Sequence, residues 1–173
     1  EGILKQKAME NVVKYAHVLG AEKLCVVTKA HLFCGSHSYM RAVNSDDIDE
    51  VISEMHFCSS KKVLLDRVEC YAQADVGPMC PYNWKKMGVS DEEHEKNMKY
   101  LKRYLDAGVQ LVGSCVPYML GFIPLMGEHY VTSESHAVLM MNSLWGACGQ
   151  ADGLEAGFWS AVCGRTPLWG LHI

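Results

Sequence analysis

Ile3, Leu4, Ala8, Val12, Val13, Ala16 and Leu19 recur at the three-to-four spacing of an amphipathic helix, and Gly20 ends the pattern. Residues 24–28 form a short apolar run that suits a buried strand. The polar stretch 29–44 reads as a loop carrying His31, Cys34, Gly35, Ser36 and His37. Ser45 or Asp46 is placed to cap a second helix that runs to about Met55. Residues 63–65 suggest a second strand, and Gly77-Pro78-Met79-Cys80-Pro81 a loop. Ser90 and Glu93 have the spacing of a capping box, which predicts a helix to Ala107 stopped by Gly108. Its outward Lys and Glu residues read as a solvated face. Residues 109–112 form a third strand that delivers the chain to Cys115, and two further helices are expected over 135–145 and 154–163. Helix and short strand alternate throughout. That pattern predicts the α/β class: one layered α/β/α domain over residues 1–173, with short, largely parallel strands and polar loops at the strand ends.

Composition narrows the function classes. The 173 residues are 49% hydrophobic and 21% charged, in the range of globular chains long enough to bury a core. A net charge of −4 argues against nucleic acid or an anionic membrane as partner. No apolar run approaches the roughly 20 residues of a membrane span. The N-terminal segment is charged and amphipathic, without the pattern of a secretory signal, so a cytoplasmic location is expected. Glu1 in place of Met reads as a processed or truncated start. The 8 cysteines allow either a disulfide framework or reduced thiols. Several of them (Cys25, Cys70, Cys148, Cys163) fall in helix-like or strand-like segments, which favours reduced thiols filling small buried sites. No Cys-x-x-Cys occurs, which weighs against a thioredoxin-type or zinc-ribbon reading.

The reactive groups concentrate in one glycine- and proline-punctuated stretch: Gly113-Ser114-Cys115-Val116-Pro117-Tyr118, Gly127-Glu128-His129 and Ser133-Glu134-Ser135. That density reads as the wall of an active site. Each group also has a plainer reading. Cys115 is either a metal-binding thiolate or a buried apolar thiol. His31 and His37 can move protons or be satisfied loop histidines. Glu128 and His129 are adjacent, so in an extended stretch they point to opposite sides. Glu134, at a helix start, can bind a cation or only favour the helix dipole. Ser135 and Asn142, seven apart, share a helix face that lines a pocket or forms an internal network. Arg165 is either a clamp for a carboxylate or phosphate, or a surface residue at a turn.

Taken in order, these motifs resemble the aconitase X catalytic family. The resemblance runs from Ala30-His31 through Gly113-Ser114-Cys115-Val116-Pro117-Tyr118, Gly121, Pro124, Gly127-Glu128-His129, Glu134-Ser135 and Asn142-Ser143 to Gly164-Arg165-Thr166-Pro167 and Gly170-Leu171-His172. It implies an aconitase-like fold and a hydro-lyase that dehydrates a small hydroxy acid, such as a hydroxyproline isomer or a phosphorylated mevalonate. It further implies an iron–sulfur cluster (2Fe–2S or 4Fe–4S) with Cys115 as a ligand and the other ligands beyond residue 173. His31, Glu134 and Ser135 would be catalytic, Tyr118, Asn142 and Arg165 substrate-binding. A small swivelling subunit or domain would complete the site. One departure stands out. Where the family runs Gly-Ala-Arg-Thr-Asn-Arg-Glu-Gly, this chain has Gly146-Ala147-Cys148-Gly149-Gln150-Ala151-Asp152-Gly153, without either arginine. The departure implies a different substrate or a non-catalytic, degenerate binding domain. A third class, a secreted disulfide-bonded protein, is separable by titrating thiols under denaturing conditions.

Overall fold

The computed structural model describes residues 2–33, 44–57, 62, 65–75 and 82–173. Helix α1 (Ile3–Leu19) buries Leu4, Ala8, Val12 and Ala16 along one stripe. It closes at Gly20, whose φ of 75° lets its N–H reach back to the Ala16 and His17 carbonyls. Helix α2 spans Ile48–Phe57. Its cap is Asp47 rather than Ser45 or Asp46: Asp47 Oδ1 accepts from the backbone N–H of Asp49 (3.1 Å) and Glu50 (3.2 Å). Helix α3 (Asp91–Asp106) starts with the expected capping box of Ser90 and Glu93. Helices α4 (Ser135–Trp145) and α5 (Leu154–Cys163) lie where the pattern placed them, each ending at a glycine in the left-handed region.

The strands are β1 (Leu24–Val26), β2 (Lys29–Phe33), β3 (Tyr71–Asp75), β4 (Val109–Leu111), β5 (His129–Thr132), β6 (Cys148–Ala151) and β7 (Arg165–Pro167). Strands β4-β3-β2-β5-β6 form a five-stranded, all-parallel sheet, and β1 pairs antiparallel with β7 in a separate ribbon. The chain is thus an α/β layered domain, as the alternation implied. One expectation fails. The stretch from Lys29 is not a loop: its first five residues are the central strand β2, disguised in sequence by Lys29 and His31. Of the strand expected at 63–65, Leu65 is irregular, and β2 pairs with β3. Residues 63–64, the 77–81 loop and Cys34, Gly35, Ser36 and His37 lie outside the described residues.

Alternation along the strands divides the core. Ala30, Leu32, Ala72, Ala74, Val109 and Val131 face one side and pack with α1, α2, α3 and α5. There His56 lies buried, stacked on Phe158 at 4.0 Å and bonded through Nε2 to the Tyr104 hydroxyl at 2.8 Å. Helix α1 lies against α5, and the Tyr15 hydroxyl donates to Asp152 at 3.0 Å. On the other face a smaller cluster of Phe122, Tyr130, Ala137, Met141 and Ala147 joins α4 to the 3-10 turn Pro117–Leu120. This second face carries buried polar groups as well: His31, Gln73 and Thr132. Gly149 packs so closely on it that an added Cβ would overlap the Tyr130 ring. Beyond it, Met119, Leu125, Met126, Leu139 and Leu144 are exposed. Cys25, Cys70, Cys115, Cys148 and Cys163 are free thiols. Among the described residues no helix is long and apolar enough to cross a membrane.

Candidate active site

The strand order 4-3-2-5-6 places a switch point between β2 and β5, where successive connections leave in opposite directions. Open parallel sheets bind ligands at the carboxyl ends of strands beside such a point. The polar side chains converge there. His31, 1% exposed, lies in the middle of β2 rather than past a strand end. Its Nδ1 is 3.3 Å from Thr132 Oγ1, across the switch, and its Nε2 is 3.2 Å from the Ser114 carbonyl. Phe122 meets the ring edge-on. Burial is the main cause that pushes the His31 imidazole below its ordinary pKa; the Ser114 carbonyl and Asp75 oppose it. His31 is therefore neutral at neutral pH and ties the loop after β4 to the strand below it.

That loop presents Cys115, whose thiol donates to Asp75 Oδ2 at 3.0 Å. Asp75 ends β3, one strand away from β2, and is buried. The hydrogen bond to Asp75 first, then desolvation and the charges of Asp75 and Glu134, push the Cys115 thiol up to about 12. Cys115 is nevertheless exposed, whereas the other four described cysteines are half-buried or buried. Glu134 precedes α4, and its backbone N–H bonds Thr132 Oγ1 at 3.1 Å. Its carboxylate lies 3.8 Å from His136 Nδ1. Ser135, at the first turn of α4, is exposed beside it. Tyr118 stands edge-on to His136 and to Trp145 and forms part of the wall.

The structure thus brings together His31, Cys115, Glu134, Ser135 and Tyr118, and adds Asp75, Thr132, Ser114 and His136. Asp75 was missed, because no local pattern marks Tyr71–Asp75 as a strand or that acid as part of a site. Two expected residues lie elsewhere. Asn142 holds β6 in place, donating to the Gly149 carbonyl at 2.7 Å and accepting from the Gly149 N–H and the Tyr130 hydroxyl. It belongs to the internal network, near the amino ends of the strands. Arg165 opens β7 opposite Val26, also at the amino end, where it lines a surface groove of about 560 Å³ with Lys5, Glu10 and Glu69. Glu128 and His129 point apart as adjacent strand residues should: Glu128 pairs with Lys29 at 2.7 Å, and His129 meets His172.

Comparison with known proteins agrees with the fold. The family profile described as "Aconitase X first domain" matches residues 1–173. The phosphomevalonate dehydratase large subunit of Thermococcus kodakarensis is 30% identical over 173 residues, 99% of this chain and 40% of that protein. That of Methanocaldococcus jannaschii is 24% identical over 99% of this chain and 40% of its own length. The cis-3-hydroxy-L-proline dehydratase of Pseudomonas aeruginosa is 28% identical over 96% of this chain and 27% of its own length. The crystal structure of Thermococcus aconitase X in its holo-form superposes with a TM-score of 0.73 at 25% identity, covering all of this chain and 40% of that one. The chain therefore spans about 40% of the length of the phosphomevalonate dehydratase large subunits it matches. A match along the whole chain, with a shared fold and with polar groups gathered at the switch point, shows that this chain belongs to the aconitase X family, as its first domain.

Proposed function

We propose that this domain is one part of the active site of a hydro-lyase that removes water from a small hydroxy acid. The observation that carries the reading is the group of Cys115, Asp75 and Glu134 at the carboxyl ends of the strands, above a neutral His31. The relatives named as dehydratases support it.

The family implies an iron–sulfur cluster, and the residues present fit one ligand of it. Cys115 is an exposed thiol flanked by two carboxylates, a setting that favours a cation over a free thiolate. Iron–sulfur clusters are held by several thiolates, so the remaining ligands would come from other parts of a longer protein. When bound, a cluster iron supplies Lewis acidity toward the departing hydroxyl. The chain's own residues do the rest. Glu134 is the group placed to take the proton next to the substrate carboxylate. Ser135 offers a hydroxyl beside it, Tyr118 walls the mouth, and His31 positions the Cys115 loop through the Ser114 carbonyl. Met119, next to Tyr118 in the 3-10 turn, is exposed and offers an apolar contact for a small second subunit or domain.

The missing arginines bear on the substrate. Residues 148 and 151 stand where the family has them, and Ala151 lies at the carboxyl end of β6, paired with Thr132. Loss of a cation there favours a substrate with less charge than phosphomevalonate, such as a cyclic hydroxy amino acid. The test is a steady-state dehydration assay of the complete, cluster-loaded protein on both substrate types. Glu134→Gln is expected to lower kcat by about a hundredfold or more, with KM little changed. Wild-type rates in that variant would overturn the assignment, and efficient turnover of phosphomevalonate would overturn the substrate preference.

A further inference from the structure

A second group of metal-ligating side chains lies at the other end of the sheet, unused by the proposed chemistry. Cys25 of β1, His129 of β5 and His172 of the closing 3-10 turn Gly170–His172 each bring one ligand atom within 4.8 Å of the other two. His129 opens β5 and Thr132 ends it, so the group stands a strand's length, roughly 10 Å, from the Cys115 side. We propose that Cys25, His129 and His172 form a zinc site that ties the β1–β7 ribbon to the main sheet.

The geometry carries this. The two Nδ1 atoms of His129 and His172 are 3.3 Å apart. That is about the edge of a tetrahedron whose metal–nitrogen bonds are near 2.0–2.1 Å. The plain alternative is one hydrogen bond between two neutral rings. His172 is 2% exposed, and a metal on its Nδ1 replaces that single inter-ring bond without disturbing its Nε2. The Cys25 sulfur has only a long contact to the Thr166 carbonyl, 3.7 Å, to give up. Cys25 and His129 are half-buried, so an ion has a way in. Two imidazoles and one thiolate suit zinc better than the hard cations that prefer oxygen. Binding replaces the thiol proton, which leaves to solvent, with a sulfur–zinc bond. The fourth position falls to water or to Cys148, which pairs with His129 on β6 and whose thiol interacts electrostatically with Cys25.

The test uses the purified protein stripped by a chelator and then given zinc or cobalt(II). One zinc per chain is expected. Cobalt should give the charge-transfer absorbance of a cobalt–thiolate bond, absent in Cys25→Ser and kept in Cys115→Ser. His129→Gln should weaken zinc binding by about a hundredfold, with far-UV circular dichroism unchanged. In the unmutated protein, mass-mapped alkylation should show zinc slowing the labelling of Cys25; this readout does not depend on any variant folding. No protection of Cys25, or a cobalt band that disappears with Cys115→Ser instead, would overturn the site.

Discussion

A thiol that donates a hydrogen bond to one carboxylate and faces another is a weak nucleophile at neutral pH, and this governs the free chemistry of Cys115. With its pKa pushed to about 12, almost none of it is thiolate at pH 8. Asp75→Asn weakens the hydrogen bond that is the largest cause of this shift and removes the Asp75 charge as well. The thiol is then expected to fall back toward its ordinary range, and Cys115 alkylation at pH 8 to quicken by on the order of a hundredfold. Mass-mapped iodoacetamide kinetics checks this, and unchanged kinetics would mean that Asp75 does not hold the thiol. A bound cation would act the other way on the same atoms, stabilising thiolate and carboxylates together. Cys115 and Glu134 were visible in the sequence because reactive groups crowd a stretch rich in glycine and proline. Asp75 was not. It meets Cys115 across 40 positions of chain, and His31 meets Thr132 across 101, through sheet pairings that local patterning does not encode.

Elements whose ends are written in side chains were legible. The Ser90–Glu93 box starts α3 as expected, and Ser90→Ala should cost about 1 kcal/mol in thermal or urea unfolding. Glycines stopped α1, α4 and α5 where the pattern ended. The strands were harder. β2 is buried on both faces, one of them polar, so Lys29 and His31 made its residues read as loop. β6 is Cys-Gly-Gln-Ala, a sequence without β-branched or aromatic residues. It is a strand because of its neighbours: Asn142 bonds both backbone groups of Gly149, and the Tyr130 ring lies flush against that glycine. Gly149→Ala is therefore expected to destabilise the domain by about 1–3 kcal/mol, as overpacking does. An unfolding curve equal to the parent's would show that the Tyr130 ring can step aside.

For the molecule as a whole, acid stability follows from His56. Burial pushes its imidazole down to about 4, below the 6.5 it would have in an unfolded chain. The unfolded state therefore binds the extra proton first. The contribution is fully present above pH 6.5 and is lost as pH falls toward 4, on the order of 3 kcal/mol in all. His31 is shifted in the same direction. In His56→Phe, which keeps a ring against Phe158, the loss of stability across that window should be shallower by one proton. An unchanged slope would place the acid sensitivity elsewhere. The packing of α1 on α5 has a consequence of another kind, in time. Tyr15 and Asp152 are 137 residues apart, and among the described residues β1 finds its ladder partner in β7. At roughly 5–20 residues per second of synthesis, the apolar stripe of α1 waits on the order of 10 s or more for the surface that covers it. Within this domain the first helix to be made is thus among the last to be sheltered, and Leu4, Ala8 and Val12 are the residues a nascent-chain chaperone would meet.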